Sequence, residues 1–481
     1  MPPIFEITHK ACAGRIGRFE TRHGIVETPT IMPVVNPNIQ TIKPSELRKF
    51  GAEIIITNSY IIYRKPELRE RARSEGLHSL IGFDGPIMTD SGSYQLSVYG
   101  EVEVNNAEIV QFQQEIGSDI GVPLDIPTPP DVQRARAEEE LGITYTRAKE
   151  ALGLKKDMLL AAPVQGSTYP DLRERAAHEL SKLDFDVYPL GAVVPLMESY
   201  RYSDLVDVIV ASKKGLSPAA PVHLFGAGHP MMFSLAVALG CDLFDSASYA
   251  LYAKDGRYMT VRGTYHVENL QYLPCSCPVC VSHNANDLIN SEKREELLAR
   301  HNLYVTFEEI REVKQAIKEG SLWELVEQRC RAHPQLLNGL KRALHHSDWI
   351  EQFQPVSNST FFYSGPESAL RPEVVRYRKK LKNLKLGGRV LIRTRRTGNE
   401  DDFDWVLDFK PPFGPYPIEL KETHPFNAET TDEPDYESLT VALQNTVELM
   451  ELNPDSKFTL VLDGLPEHPL IEKIQNLLLR Q

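Results

Sequence analysis

Cysteine is scarce in this chain, and nothing in it predicts a cleaved leader or a membrane span. Only 6 of the 481 residues are cysteine, and half of them are clustered, which fits a reducing compartment better than a disulfide framework. The opening residues lack the basic and apolar regions of a signal peptide. No uninterrupted apolar run approaches the roughly 20 residues that span a bilayer. These absences predict a cytoplasmic protein with no membrane partner.

Three cysteines lie within six residues, as Cys275, Cys277 and Cys280, and His301 follows downstream. Three thiolates and an imidazole suit tetrahedral zinc, and four protein ligands leave no position for water or substrate. The pattern therefore predicts one structural Zn2+ per chain. Buried thiols without a metal are the alternative, and His266 and His283 lie close enough in sequence to replace His301 as the fourth ligand.

Short apolar runs, each closed by a polar residue or glycine, recur through the first 250 residues. They cover residues 31–36, 53–58, 86–90, 119–125, 158–165, 184–191, 221–226 and 240–245. Continuous apolar character is typical of strands covered on both faces, as in parallel sheets. Segments of helical composition separate most of the runs. The predicted fold class is therefore α/β, a (β/α)8 TIM barrel.

Functional side chains close several of these runs. They are Asp90, Asp125, Gln165, Gly191 and Asp245. Because the active site of a TIM barrel lies at the C-terminal ends of its strands, we expect these residues to share one site. Helix caps, or a structural salt bridge at the barrel mouth, are the alternative.

A linker-like composition near residues 354–360 marks the start of a second region. We expect residues 1–350 to form the catalytic barrel, with a zinc subdomain at about 265–305 and a helical extension. Residues 357–481 are expected to form a smaller α/β region. In it we predict a helix that opens at Arg371-Pro372, strands at 389–393, 403–407 and 458–462, and helices at 436–452 and at the C-terminus.

The net charge of −13 argues against a polyanionic partner, but the charge is unevenly distributed. Residues 371–396 carry eleven Arg and Lys against Glu373 alone. Such a focused positive charge binds nucleic acid phosphates even in an acidic chain. A solvated helix face is the alternative.

Four short motifs precede the C-x-C-x2-C run in a fixed order. They are Asp90-Ser91-Gly92-Ser93-Tyr94-Gln95, Leu124-Asp125-Ile-Pro-Thr-Pro-Pro130, Val164-Gln165-Gly166 and Leu243-Phe244-Asp245-Ser246. Together they resemble the tRNA-guanine transglycosylases, over roughly residues 5–310. The residues around Asp125 and the appended C-terminal region are similar to the archaeal members. Those enzymes replace guanine at tRNA position 15 with preQ0 (7-cyano-7-deazaguanine), a step toward archaeosine.

The resemblance implies roles for two of the carboxylates. Asp245 is expected to be the nucleophile that attacks C1′ of the nucleotide, and Asp90 the general acid/base that relays protons for the leaving and entering bases. Two carboxylates suffice for such an exchange, because two displacements through a covalent intermediate give net retention.

Recognition of the base needs its own groups. A carboxylate accepts both the N1–H and the exocyclic amine of guanine, which suits Asp125. Gln165 is expected to read the opposite edge, and Gly191 to let the backbone approach the heterocycle. Tyr94 is expected to stack on the extruded base, with core packing as its alternative, and Ser91 is assigned to the same pocket.

Basic residues in two places are expected to contact tRNA phosphates, with ordinary surface positions as the alternative. They are Lys254, Arg257, Arg378, Lys379, Lys382 and Lys385. The longest archaeal relatives continue into a PUA-type RNA-binding domain where this sequence ends, so a separately encoded PUA-domain protein is a candidate partner. The basic segment at 371–396 could then be a docking surface for that protein instead of a contact with tRNA. The zinc subdomain of the family implies a homodimer.

Three other functions remain as alternatives. One is the bacterial-type exchange, with preQ1 or queuine as the base and the anticodon wobble position as the target. The second is a non-catalytic tRNA-binding subunit of a heteromeric transglycosylase, which retention of both Asp90 and Asp245 disfavours. The third is a metal-dependent barrel hydrolase, which the lack of a His-x-His strand motif and the closed ligand set disfavour.

Overall fold

The computed structural model describes residues 4–93, 104–396 and 400–479. The chain divides into two compact units, each with a hydrophobic core of its own. The first unit contains Met1–Lys318 and Leu325–Ala343. The second contains Glu319–Glu324 and Leu344–Gln481.

The first unit begins with an antiparallel sheet of β1 (Phe5–Ala11), β2 (Gly14–Thr21) and β3 (Gly24–Thr28). Phe19 of β2 and Val26 of β3 are fully buried, in one cluster with residues of the barrel interior such as Ile54 and Ile120. Ile54 and Ile120 lie where their strands begin. The sheet therefore covers the end of the barrel at which the strands start.

The barrel itself consists, in the described residues, of eight parallel strands. They are β4 (Thr30–Val35), β5 (Ile55–Asn58), β6 (Ile87–Asp90), β7 (Ile120–Gly121), β8 (Leu159–Leu160), β9 (Tyr188–Leu190), β10 (Val222–Leu224) and β11 (Leu243–Ser246). Chain neighbours pair from β4 to β8 and from β9 to β11, and β11 pairs back with β4. Parallel bridges from Ala161 to Val187 and from Val164 to Leu190 join the remaining edges. The predicted TIM barrel is confirmed, and every predicted run overlaps one of its strands.

Burial on both faces explains why these runs form strands. Successive side chains of a strand point to opposite faces, and Ile55 and Ile56 of β5 are both buried. Ile56 contributes to the barrel interior. Neighbouring side chains can both be apolar because helices cover the outer face of a parallel barrel.

Helices lie between and after the barrel strands. They are α1 (Ser59–Arg64), α2 (Pro66–Glu75), α3 (Leu77–Ile81), α4 (Asn106–Glu115), α5 (Arg134–Leu154), α6 (Pro170–Ser181), α7 (Val194–Glu198), α8 (Tyr202–Gly215), α9 (Phe233–Ala238) and α10 (Ser248–Lys254). Short 3-10 turns occupy Pro44–Lys49 and Pro230–Met232. Local sequence sets two of the helix starts. Asn105, the N-cap of α4, forms a capping box with Glu108 in its first turn, and Pro170 is the first residue of α6.

A hairpin and further helices follow the barrel. They are β12 (Arg257–Thr260), β13 (Gly263–His266), the 3-10 turn Val267–Asn269, α11 (Pro278–Ser282), α12 (Ala285–Asn290), α13 (Arg294–Glu319), α14 (Leu322–Cys330) and α15 (Pro334–Leu344). Pro334 is the first residue of α15. Among the helices described, none has the length and apolar content to cross a membrane.

The second unit is a small α/β structure. Its elements are α16 (Ser347–Ile350), the 3-10 turn Pro366–Leu370, α17 (Pro372–Leu381), β14 (Arg389–Arg393), β15 (Trp405–Lys410), β16 (Gly414–Pro417), the 3-10 turn Ile418–Leu420, α18 (Tyr436–Leu452), β17 (Lys457–Val461) and α19 (Pro469–Leu478). The strand order is β16-β15-β14-β17, with only β16 antiparallel to its neighbour. The prediction missed β16 because two prolines in four residues argue against a strand, and its edge position explains why they are tolerated.

Candidate active site

Three carboxylates lie at or just beyond the ends of barrel strands. Asp90 is the last residue of β6, Asp245 is the third of the four residues of β11, and Asp125 follows β7. The pKa of Asp90 rises from 3.8 to about 7, chiefly through burial and then through the negative charges of Asp125 and Asp245. Such a carboxyl group is present in both protonation states near neutral pH, which general acid/base chemistry requires.

One oxygen of Asp245 is held by two donors. His223 Nε2 lies 2.8 Å from Asp245 Oδ1, and the backbone N–H of Gly226 donates to the same atom over 2.7 Å. The parallel register of β10 and β11 pairs His223 with Leu243, two residues before the aspartate. Within the described residues, Oδ2 of Asp245 has no hydrogen-bond partner. The carboxylate is thus fixed in orientation with one oxygen left for chemistry.

Asp90 is held from the neighbouring strand. Asn58 is its register partner on β5, and Asn58 Nδ2 donates to Asp90 Oδ2 over 3.1 Å. The amide oxygen of Asn58 accepts the backbone N–H of Ile61 at the start of α1. Because one side chain caps a helix and contacts Asp90, the general acid/base candidate is tied to the backbone of the barrel.

Asp125, Gln165 and Gly191 form one buried cluster. Gln165 Nε2 donates to Asp125 Oδ2, while Gln165 Oε1 is buried without a partner in the described residues. A Cβ at Gly191 would lie 2.1 Å from Gln165 Nε2, so only glycine fits against this amide. Burial raises the pKa of Asp125, against the lowering effect of its hydrogen bonds to Ser93 and Gln165. The orphaned amide oxygen is the polar atom that a bound ligand would satisfy.

Ser91 links the Asp90 strand to the Asp125 segment. Its hydroxyl donates to the carbonyl of Pro123 over 3.0 Å and lies 3.1 Å from the Ser93 hydroxyl. Ser93 in turn accepts the backbone N–H of Asp125. Ser91 thus ties the segment that follows β6 to the segment that carries Asp125. Tyr94, the predicted stacking residue, lies outside the described residues.

Arg173 of α6 holds the backbone around the cluster of Asp125, Gln165 and Gly191. The side chain is fully buried and donates to the carbonyls of Val164 at 2.7 Å and Gly191 at 3.0 Å. A third bond joins its Nε to the Ser167 carbonyl. Arg173 thus fixes the backbone on both sides of the Gln165 and Gly191 contact.

Two candidate phosphate contacts follow β11. Lys254, the last residue of α10, is exposed. Arg257 begins β12, with its guanidinium carbon 5.2 Å from the ring centre of Tyr252. Nε of Arg257 is buried without a partner in the described residues. Contact of either residue with tRNA remains a prediction.

The basic residues of the second unit differ in their pairing. Arg378 Nε lies 3.4 Å and Lys382 Nζ 3.0 Å from the carboxylate of Glu448 in α18. Lys385 is exposed and has no ion pair within the described part of the chain. Of these three cations, Lys385 alone can meet a phosphate without first leaving an acid.

Other cations of this segment are also paired. Lys379 Nζ lies 2.9 Å from Asp348, and Arg371 is fully buried between Glu324, at 2.6 Å, and Glu373, at 3.0 Å. An unpaired buried charge costs on the order of several kcal/mol of folding free energy. The two acids offset that cost for Arg371, so this residue serves the structure of the second unit and not a surface contact. The positive charge counted from the sequence is therefore partly neutralised.

The Cys3His cluster predicted from the sequence is assembled. Ligand atoms of Cys275, Cys277, Cys280 and His301 all lie within 4.8 Å of one another. His301 Nδ1 is 3.5 Å from Cys277 Sγ and 3.4 Å from Cys280 Sγ. Sulfur and nitrogen ligands on tetrahedral zinc, with bonds of about 2.3 and 2.1 Å, are separated by about 3.6 Å. The donor set and its spacing fit a tetrahedral metal ion.

Contacts outside the cluster fix the orientation of the His301 imidazole. His301 Nε2 lies 2.9 Å from the carbonyl of Met259, which leaves Nδ1 directed at the cysteines. The His301 ring stacks on Tyr258, with 3.6 Å between ring centres. His283 instead directs its Nδ1 at the carbonyl of Val279. In the described residues His301, and not His283, thus completes the cluster with the three cysteines.

Comparison with known proteins shows the family of this chain. The family described as Queuine tRNA-ribosyltransferase (TGT) matches residues 10–335. This chain belongs to that family.

Relatives that match over most of this chain carry the name tRNA-guanine(15) transglycosylase. That of Methanosarcina barkeri is 65% identical over 476 residues, which cover 99% of this chain and 97% of that protein. That of Haloarcula marismortui is 54% identical, with 96% and 95% covered. That of Methanothermobacter thermautotrophicus is 51% identical, with 88% of this chain and 67% of that protein covered. The resemblance to archaeal tRNA-guanine transglycosylases is confirmed.

Sequence reasoning missed two side chains in this transglycosylase-family site. Asn58 ends its apolar run as Asp90 does, so the same strand-end signal was available for it. His223 interrupts the run at 221–226, and a histidine within a fully buried strand is itself a signal. The contacts of Asn58 with Asp90 and of His223 with Asp245 depend on strand register, which the sequence does not specify.

Proposed function

We propose that this protein exchanges the guanine at position 15 of tRNA for preQ0, through a covalent tRNA–enzyme intermediate. Membership of the transglycosylase family and relatives named for that position support the target. The single observation that carries the chemistry is the strand-end arrangement of Asp90 beside Asp245, with the pKa of Asp90 raised to about 7.

In the first displacement, Asp245 Oδ2 attacks C1′ of the target nucleotide. A bond forms between this oxygen and C1′ as the bond from C1′ to N9 of guanine breaks. Asp90 in its protonated form gives its proton to the departing base. His223 and Gly226 hold Asp245 Oδ1, so the attacking oxygen points in one direction.

In the second displacement, the entering base reverses these steps. N9 of preQ0 attacks C1′, and the bond to Asp245 Oδ2 breaks. Asp90, now a carboxylate, takes the N9 proton of preQ0 and returns to its starting state. Two inversions at C1′ leave the configuration of the nucleotide unchanged.

One pocket serves both bases, because preQ0 keeps the Watson–Crick edge of guanine. Asp125 accepts from N1–H and the exocyclic amine. Gln165 offers a buried amide oxygen that has no partner in the described residues. Gly191 leaves room for the amide of Gln165, Ser91 holds the pocket wall, and Tyr94 is assigned to stacking on the base.

Zinc is the metal that best fits the Cys3His cluster. Cys275, Cys277, Cys280 and His301 would hold one Zn2+, with all four positions taken by protein. The ion would join the loop at 275–280 to α13 and supply stability. The chemical step uses only side chains of the barrel.

Partners beyond tRNA are supported by surface features. Tyr265, Tyr272 and Val281 of the zinc subdomain are exposed, with 82% of Tyr272 accessible, and exposed apolar side chains favour a homodimer through this subdomain. Lys254, Arg257 and the cations of α17 favour contact with the tRNA backbone. A separately encoded PUA-domain protein remains a proposed partner.

The test is incorporation of labelled guanine or preQ0 into an unmodified tRNA transcript, followed by mapping of the labelled nucleotide. Label at position 15 is the expected result, and a transcript with adenine at that position is the matched control. Label in the anticodon would favour the bacterial-type exchange instead. Binding of tRNA without incorporation would favour a non-catalytic subunit.

A further inference from the structure

A second cluster of metal-ligating side chains lies at the opposite end of the barrel from Asp90 and Asp245. His23 lies in the turn between β2 and β3, His78 in α3, and Asp119 immediately before β7. Their ligand atoms all lie within 4.8 Å of one another. Three segments that are distant in sequence thus bring two imidazoles and one carboxylate together where the strands begin.

The carboxylate of this cluster is fixed by the backbone. Oδ1 of Asp119 accepts the N–H of His23 over 3.1 Å, and Oδ2 accepts the N–H of Ile87 over 2.8 Å. The side chain of Asp119 is fully buried. Each oxygen keeps a second lone pair, and a ligand group held in this way needs no reordering to bind an ion.

Both imidazoles converge on these lone pairs. His23 Nδ1 lies 2.8 Å from Asp119 Oδ1, and His78 Nε2 lies 3.1 Å from Asp119 Oδ2. The ring centres are 3.8 Å apart. Distances near 3 Å between nitrogen and oxygen suit neighbouring ligands on one metal ion as well as hydrogen bonds. The His23 side chain is 35% and that of His78 20% exposed, which leaves access for an ion and for water ligands.

We propose that His23, His78 and Asp119 bind a divalent first-row transition metal ion, with water in the remaining positions. A site of two imidazoles and one carboxylate binds such ions in preference to Mg2+ or Ca2+. Binding replaces any imidazole proton that faces the carboxylate, so a proton leaves as the ion enters. The ion joins the N-terminal sheet to α3 and to the start of β7, and stabilises that end of the barrel without touching the proposed active site.

Metal titration of zinc-loaded protein tests this site. The protein is treated with a weak chelator that leaves thiolate-bound zinc in place, then titrated with Co2+ or Ni2+. We expect one further equivalent per chain, a rise in melting temperature, and a Co2+ spectrum without thiolate charge-transfer bands. His23→Gln and His78→Gln should each remove the equivalent and the temperature shift. His9→Gln, at an exposed histidine of β1, is the matched control and should keep both.

Two results would overturn the proposal. If wild-type protein binds no further equivalent of metal ion, His23, His78 and Asp119 form only a hydrogen-bonded cluster. An equivalent that persists in both His23→Gln and His78→Gln belongs to other ligands. Base exchange should be unchanged in both variants, and this readout separates the metal site from the proposed function.

Discussion

His223 Nε2 lies 2.8 Å from Asp245 Oδ1, and the imidazole is fully buried. The backbone N–H of Gly226 shares that oxygen at 2.7 Å. Both donors act on Oδ1, so the proposed exchange assigns the attack to Oδ2. In that proposal Oδ1 becomes the carbonyl oxygen of the ester and keeps both hydrogen bonds. The same donors would then orient Asp245 as the nucleophile and stabilise it as the leaving group of the second displacement.

Replacing His223 tests this positioning role. His223→Leu removes a hydrogen bond to a charged group, worth about 1.5–3 kcal/mol, which corresponds to a roughly 10- to 150-fold loss in rate. The loss should appear in kcat, with little change in KM for tRNA, because the base pocket is intact. His223→Gln keeps a donor and should recover part of the rate. Equal loss in both variants, or a loss confined to KM, would argue against positioning.

Asp90 gives a pH-dependent prediction. Folded Asp90 holds its proton up to about pH 7, whereas an ordinary aspartate releases it near 3.8. The folded state binds more protons in this window, so the contribution of Asp90 to the free energy of unfolding falls as pH rises from about 4 to 7. The Asp90→Asn variant has no carboxyl group at this position, so it does not undergo this fall in the free energy of unfolding. Its stability relative to wild type should therefore rise across the window, as measured by urea denaturation at both ends.

The neighbouring carboxylate supplies a control for that measurement. Asp245→Asn removes one of the negative charges that raise the pKa of Asp90. The pH-dependent change in stability should then move to lower pH. A difference between Asp90→Asn and wild type that is the same at every pH would show that the pKa of Asp90 is not raised.

The zinc cluster makes a stability prediction. Cys277→Ser should lower zinc content and melting temperature together, because binding of a structural metal contributes to folding. Cys330→Ser alters a fully buried cysteine outside the cluster and should keep the zinc. Metal analysis and thermal unfolding measure both effects. Wild-type protein that contains no zinc, when purified without chelator, would contradict the assignment.

The basic segment yields opposite effects from two substitutions. Lys385→Gln should weaken tRNA binding and lower the slope of log affinity against log salt by about 0.7–0.9, the value for one phosphate contact. Glu448→Gln frees Arg378 and Lys382 and should raise affinity and steepen the slope. Filter binding across a salt series measures both. No change in slope for either variant would assign the segment to a protein partner or to solvent.

The barrel was predictable because its evidence is local. Continuous apolar runs indicate buried parallel strands, and several of the runs end in a residue of the candidate site. The cysteine cluster was predictable for the same reason, since three of its ligands lie within six residues. Asp90 and Asp245 followed from their positions at strand ends and from resemblance to the transglycosylases.

Contacts between distant segments were not predictable in the same way. His223 reaches Asp245 only through the register of β10 with β11. Glu448 neutralises part of the basic segment from a helix about 70 residues away, and no sequence pattern marks that pairing. The cluster of His23 with Asp119 depends on the antiparallel N-terminal sheet, whose strands carry none of the continuous apolar runs that indicate buried parallel strands.

The most direct test of the proposed chemistry is peptide mass spectrometry of the enzyme quenched during turnover with tRNA. Because the guanine has left in this intermediate, nuclease digestion before analysis leaves an abasic ribose phosphate bonded through C1′ to the side chain that attacked. We expect this adduct on the peptide that contains Asp245, and we expect it to be absent from Asp245→Asn protein that still binds tRNA. An adduct on Asp90, or sustained base exchange by Asp245→Asn, would contradict it.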